Sequence, residues 1–130
     1  MAKEILINTR VTRQKVALRQ AFEKVGRPLS PEEVWEVASK QVKGLGLATV
    51  YRNIKSLVED NVIVPVELIN EAPRYEIAGK GHHHHFRCND CDKVFELEGC
   101  IHNVEKLVPR GYKVQVHHLV FYGSCKECNS

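Results

Sequence analysis

The first 81 residues contain neither cysteine nor histidine. Thiolate and imidazole metal chemistry is therefore confined to the remainder of the 130-residue chain. Long apolar runs are also missing. No stretch approaches the roughly 20 apolar residues of a membrane span, and no apolar run opens the chain as a signal peptide would. A cytoplasmic protein without a membrane partner is expected. Aromatics are sparse at 7%, with one Trp and one Met. A net charge of +3 is too small to establish a polyanion partner by itself.

What is present is unevenly distributed. Apolar residues at 43% and charged residues at 27% describe an ordinary globular chain, long enough for one domain or two very small ones. Residues 10–27 hold six bases (Arg10, Arg13, Lys15, Arg19, Lys24, Arg27) against one acid, Glu23. That concentration makes a local basic surface. All seven histidines lie between His82 and His118, and all five cysteines between Cys88 and Cys128.

The first part reads as helices. Thr12 is placed to cap a helix to about Val25, with Val11, Leu18, Ala21, Phe22 and Val25 inward, ended by Gly26-Arg27-Pro28. Ser30-Pro31-Glu32-Glu33 starts a second helix, running to about Lys40 with Val34, Val37 and Ala38 inward: cap, proline at the first helical position, acid at the third. After Gly44-Leu45-Gly46, a third helix over about 47–60 carries Leu47, Val50, Tyr51, Ile54, Leu57 and Val58 on one stripe. Thr49, Arg52, Asn53, Lys55 and Ser56 form its polar face. Segments 62–68 and 74–78, around Asn70-Glu71-Ala72-Pro73, read as a hairpin. The expected fold is α+β: a winged helix-turn-helix domain over 1–78, a Gly79-Lys80-Gly81 hinge, and a small α/β domain over 82–130. In the latter, 82–87, 94–97 and 113–122 read as strands and 101–108 as a helix.

Cys88-x2-Cys91 and Cys125-x2-Cys128 are separated by 33 residues. Two such pairs favour tetrahedral zinc over disulfides or a redox pair. Four thiolates leave no open coordination position, so the zinc is structural. Cys100 is left over, as a small apolar side chain, a redox-sensitive thiol or an extra ligand. On a strand, His83 and His85 point one way and His82 and His84 the other, enough for two sites. A solvated His-rich edge is the bland alternative. His117 and His118 also face opposite ways, and Glu76 and Glu96 are the available carboxylates. Imidazole with carboxylate suits Zn(II), Fe(II), Mn(II) or Ni(II).

Taken in order, Thr12-x-Gln14, Ala48-Thr49-Val50-Tyr51-Arg52, His82–His85-x-x-Cys88-x-x-Cys91 and Tyr122-Gly123-x-Cys125-x-x-Cys128 resemble the ferric uptake regulator family over nearly the whole chain. The resemblance implies a homodimeric, metal-responsive bacterial repressor binding double-stranded, A·T-rich palindromic operators. It implies structural zinc on Cys88, Cys91, Cys125 and Cys128. A second divalent metal would take a hinge-side regulatory site of Glu76, His83, His85 and Glu96. A further site would use His82, His84 and His117, with His102 the nearest residue to a missing acidic ligand. DNA contacts would come from Arg10, Thr49, Tyr51, Arg52 and Asn53.

One departure stands out. The family commonly supplies a sensing histidine ahead of the second helix, where this chain reads Arg27-Pro28-Leu29-Ser30. That gap, and Glu96 where the peroxide-sensing branch favours aspartate, argue against peroxide sensing as the alternative role. A zinc storage or delivery protein and an enzyme with a His/Glu metal centre are rival readings. The enzyme reading lacks a nucleophile or a substrate-pocket motif.

Overall fold

The computed structural model describes residues 10–130. It divides into two compact units between Gly79 and Lys80.

The first unit is built from α1 (Arg10–Val25), α2 (Pro31–Ala38), α3 (Leu47–Glu59) and an antiparallel hairpin of β1 (Ile63–Leu68) and β2 (Glu71–Ile77). This is the winged-helix layout read from the sequence. Leu18, Phe22, Leu29, Val34, Val50 and Ile63 are almost wholly removed from water and form one core with Ala17, Ala21, Ile54 and Leu57. The capping box forms as expected: Ser30 Oγ accepts from the Glu33 N–H at 3.2 Å, and Glu33 Oε1 accepts from the Ser30 N–H at 3.1 Å.

Glu33 also ties three segments together. Arg27 Nη2 donates to its Oε2 at 2.7 Å, and Arg74 Nη1 on β2 donates to Oε1 at 3.1 Å. Beside this network Leu29 makes a two-bond bridge to Tyr75 (2.8 and 2.9 Å). Residues 27–30 are thus committed to holding the wing against the helices.

Several boundaries differ from the sequence reading. Helix α1 is already formed at Arg10, so Thr12 lies inside it rather than capping it, and Val11 is exposed while Gln14 is buried. On α3 the buried stripe is Val50, Asn53, Ile54 and Leu57; Leu47 and Tyr51 stand out in solvent. The hairpin turns at Ile69-Asn70, because Asn70 adopts the left-handed conformation (φ 57°) a tight turn needs. Ala72 and Pro73 therefore belong to β2, and a two-stranded edge tolerates the missing proline N–H.

The second unit has a three-stranded sheet in the order β4-β3-β5, with β3 (His84–Cys88), β4 (Val94–Leu97) and β5 (Val120–Gly123). Strand β3 is antiparallel to β4 and parallel to β5. The expected helix over 101–108 is only a 3-10 turn at Val104–Leu107, preceded by left-handed Asn103 and lacking a buried face. The expected strand over 113–122 survives only as β5. Short β3 pairs with it from His85 to Cys88 alone; among the described residues, 113–119 form no strand, and only the Leu119 carbonyl reaches β3, accepting from the His85 N–H at 3.3 Å.

Burial pushes the Glu33 carboxyl upward, but the hydrogen bonds from Arg27 and Ser30 and the charges of Arg27 and Arg74 outweigh it and hold it below its ordinary value. A carboxyl lowered on folding contributes stability above its unfolded value, ~4.3, and loses it as pH falls. Glu33→Gln is expected to lower unfolding free energy by about 2 kcal/mol at neutral pH. Urea titrations of both proteins should show this difference shrinking below about pH 4.

Candidate metal centres and nucleic-acid interface

Two knuckles bring the cysteine pairs together. Residues 89–92 turn between β3 and β4, with Asp92 in the left-handed conformation (φ 62°), and residues 124–129 follow β5. Cys88, Cys91, Cys125 and Cys128 present four sulfurs within 4.8 Å of one another. The Cys91 and Cys125 sulfurs are 3.9 Å apart. A zinc tetrahedron with Zn–S bonds near 2.3 Å has edges of about 3.8 Å, whereas a disulfide would need about 2.05 Å. None of the cysteines is disulfide-bonded.

The backbone N–H groups of Cys91 (3.5 Å) and Cys125 (3.3 Å) donate to the Cys88 sulfur. They lower its thiol to about 6, with the Cys91 N–H the larger cause, against the opposing effect of burial. Cys128 is pushed up, first by its neighbour Cys125, because four thiolates cannot all ionise in one place without a cation. The donor set fits zinc.

The run 82–85, which leads into β3, sorts the histidines by parity. His83 and His85 stack edge to face on one side, with ring centroids 4.8 Å apart; His82 and His84 do so on the other at 4.5 Å. On the first side Glu96 lies across the β3–β4 pair from His85. Its Oε1 is 3.8 Å from His83 Nε2, and its Oε2 accepts from Lys80 Nζ at 3.1 Å. A carbonyl only accepts, so the 2.7 Å contact from His83 Nδ1 to the Gly81 carbonyl places a proton on Nδ1 and turns Nε2 toward Glu96; in the neutral ring Nε2 is then the metal-binding nitrogen. Glu76 is buried in β2, opposite Val64, in the first unit.

On the second side the structure gathers His82, His84, His117 and Cys100, not His102. His102 is exposed and outside this group. The signal for Cys100 was available in the sequence as the odd thiol. An extra ligand was one of its three readings, and a thiolate can stand in the place of the missing carboxylate.

In the first unit, Tyr51 and Arg52 of α3 are exposed and Thr49 is half-buried. Arg52 Nη2 donates to Thr49 Oγ1 at 2.9 Å, and Tyr51 Oη donates to Glu32 Oε1 at 2.8 Å. That hydrogen bond, more than burial, raises the phenol. Asn53, assigned by sequence to the DNA-facing side, is buried, because it falls three residues after Val50 and four before Leu57; its Nδ2 has no hydrogen-bond partner. Arg10 is exposed at the first turn of α1.

A winged-helix unit followed by a unit with sulfur and imidazole clusters is the build of a metal-responsive DNA-binding regulator. The model of the Ferric uptake regulator family matches residues 7–122, and the chain belongs to that family. It is 32% identical over 122 residues to the Ferric uptake regulation protein of Bacillus subtilis, covering 89% of this chain and 82% of the relative. The Helicobacter pylori protein of the same name is 31% identical, with 90% and 80% covered.

The ferric uptake regulator structure from Francisella tularensis, determined with iron, superposes with a TM-score of 0.73 at 29% identity, covering 95% and 96%. A zinc-bound manganese uptake regulator shares the fold at TM-score 0.75 and 24% identity, covering 94% and 97%. Members of this family are dimeric, DNA-binding transcriptional regulators with zinc and a second divalent metal. Among the described residues no helix is long and apolar enough to cross a membrane.

Replacing Cys88 by Ser should remove one zinc per chain and unfold the second unit, because metal binding there is coupled to folding. Native mass spectrometry and near-ultraviolet circular dichroism check the two losses together. A zinc-free wild-type protein with an intact second unit would contradict the coupling.

Proposed function

We propose that this chain is a metal-dependent repressor that binds A·T-rich palindromic operators as a homodimer. Its winged-helix domain spans 1–78, its hinge 79–81 and its metal-binding dimerisation domain 82–130. The observation that carries the regulatory part is the pairing of His83 and His85 on one side of the sheet beside Glu96, with His83 Nε2 turned toward that carboxylate.

In this reading Cys88, Cys91, Cys125 and Cys128 hold structural zinc. Glu76, His83, His85 and Glu96 bind the sensed ion. Two imidazoles and two carboxylates suit Zn(II) or Fe(II), and extend to Mn(II) and Ni(II). Glu76 precedes the glycine-flanked Lys80 and the other three ligands follow it. One ion on all four would join two units otherwise linked by a hinge, and would fix the separation of two recognition helices at one half-site spacing. Without the ion the binding-competent geometry is a minor population, and apparent affinity falls by that fraction. The exposed Arg52 and Tyr51 of α3 are placed for phosphate, guanine and thymine-methyl contacts, with Thr49 holding Arg52. Arg10 supplies a cation for a narrow minor groove. The commitment of residues 27–30 to wing packing leaves no DNA-domain histidine there, and with Glu96 as the acid this favours metal sensing over peroxide sensing.

His83→Ala or Glu76→Ala should abolish metal-stimulated operator binding while leaving the four-cysteine zinc and the dimer in place. Fluorescence anisotropy at one fixed salt concentration measures this, since phosphate contacts make affinity salt-dependent. Equal operator affinity with and without the sensed metal would show that these residues are not the switch. By linkage, operator DNA should tighten metal binding by the same factor.

A further inference from the structure

Glu96 already holds a cation. Its carboxylate divides its two oxygens between two neighbours. Oε1 lies 3.8 Å from His83 Nε2, and Oε2 accepts from the Lys80 ammonium at 3.1 Å. The Lys80 and Glu96 side chains are only 28% and 25% exposed, so water screens this pair less than it screens a pair on the open surface. The local backbone sets the arrangement. The chain folds back at Gly81, whose carbonyl accepts from the His83 ring. A lysine and a histidine close together in sequence are thereby brought to the two oxygens of one side chain.

The pairing bears on which ion the carboxylate can serve. A carboxylate binds a hard cation through its charge and through one or both oxygens. Here one oxygen is committed and the charge is compensated. Two effects on an incoming ion follow. The ammonium repels every divalent ion alike. It also competes for carboxylate oxygen, and that burden falls unequally. Mn(II) depends on carboxylate and water oxygens, whereas Co(II) and Zn(II) gain more from imidazole. The binding supplied by His83 and His85 does not pass through Glu96, so the competition for oxygen leaves it in place.

We propose, on the reading of His83, His85 and Glu96 as ligands of the sensed ion, that Lys80 is a specificity-determining residue of that site. It acts as an internal cation on Glu96 that disfavours oxygen-seeking Mn(II) relative to imidazole-seeking Co(II) and Zn(II). Lys80 is not itself a ligand. It sets how much of the carboxylate an ion can use.

Equilibrium titrations of wild type, Lys80→Met and Lys80→Arg test this, each protein retaining its four-cysteine zinc as verified by native mass spectrometry. Mn(II) is followed by the loss of its free-ion paramagnetic resonance signal and Co(II) by its visible absorption. The binding event compared is the one that His83→Ala removes. Lys80→Met keeps the apolar stem and removes the charge. It should tighten Mn(II) roughly tenfold and Co(II) about threefold or less, so that the preference for Co(II) narrows. Lys80→Arg, which keeps a cation beside Glu96, should leave Mn(II) no tighter than in wild type. The ratio of the two affinities is the informative readout, because a general loss of structure or simple repulsion shifts both ions together.

An equal gain for both ions would refute the specificity. Unchanged or weaker binding of both to Lys80→Met, or no Mn(II) binding to either protein, would refute the competing role of Lys80. If His83→Ala removes no bound ion at all, the assignment of the sensing ligands fails instead, and that result is obtained without any change at Lys80.

Discussion

From Lys80 onward only His84, His85, Cys88 and Val94 are buried among the described residues. Ordering about 50 residues costs on the order of 1–2 kcal/mol each in backbone entropy, while one buried valine returns about 1.5–3 kcal/mol. A unit of this size cannot close on apolar packing alone, and small domains in that position use metals, disulfides or a second subunit. The buried positions are themselves metal-ligand types or lie next to them. On the proposed reading, the side chains that sense the metal also help a metal and a second subunit supply what apolar packing does not.

The first unit follows different rules. Its helices bury a continuous core, and the polar network Arg27–Glu33–Arg74 is paired by hydrogen bonds. It carries no metal-ligating sulfur or imidazole. It can present a rigid α3 whatever the metal state of the rest, so regulation need only act on where α3 is held, not on its structure.

Legibility from sequence tracked how local each determinant was. The Ser30–Glu33 capping box, the α3 period and both cysteine knuckles depend on residues within a few positions of each other, and all were readable. The wrong side for Asn53 came from weighing polarity above helical phase: its position places it between Val50 and Leu57 regardless of its amide. Tyr51 and Leu47 erred the other way, as apolar residues at the margin of the stripe that helix packing leaves outside. Residues 113–119 alternate like a strand, but a strand is a property of hydrogen bonds to a neighbour, and β3, which runs parallel to β5 and begins at His84, reaches back no further than Leu119. Cys100 could not be assigned by spacing at all, since its partners are 16 to 18 residues distant and come from different segments.

The histidine run on β3 has a consequence for how such a protein can change. On the proposed reading two ligand sets share one backbone and are told apart only by odd and even position. Substitution alters one set and spares the other, so each side can be retuned by single steps. A one-residue insertion or deletion between His82 and His85 instead exchanges side chains between the faces and disables both sets together. In this stretch a replacement would thus cost one set of ligands, and a change in length both.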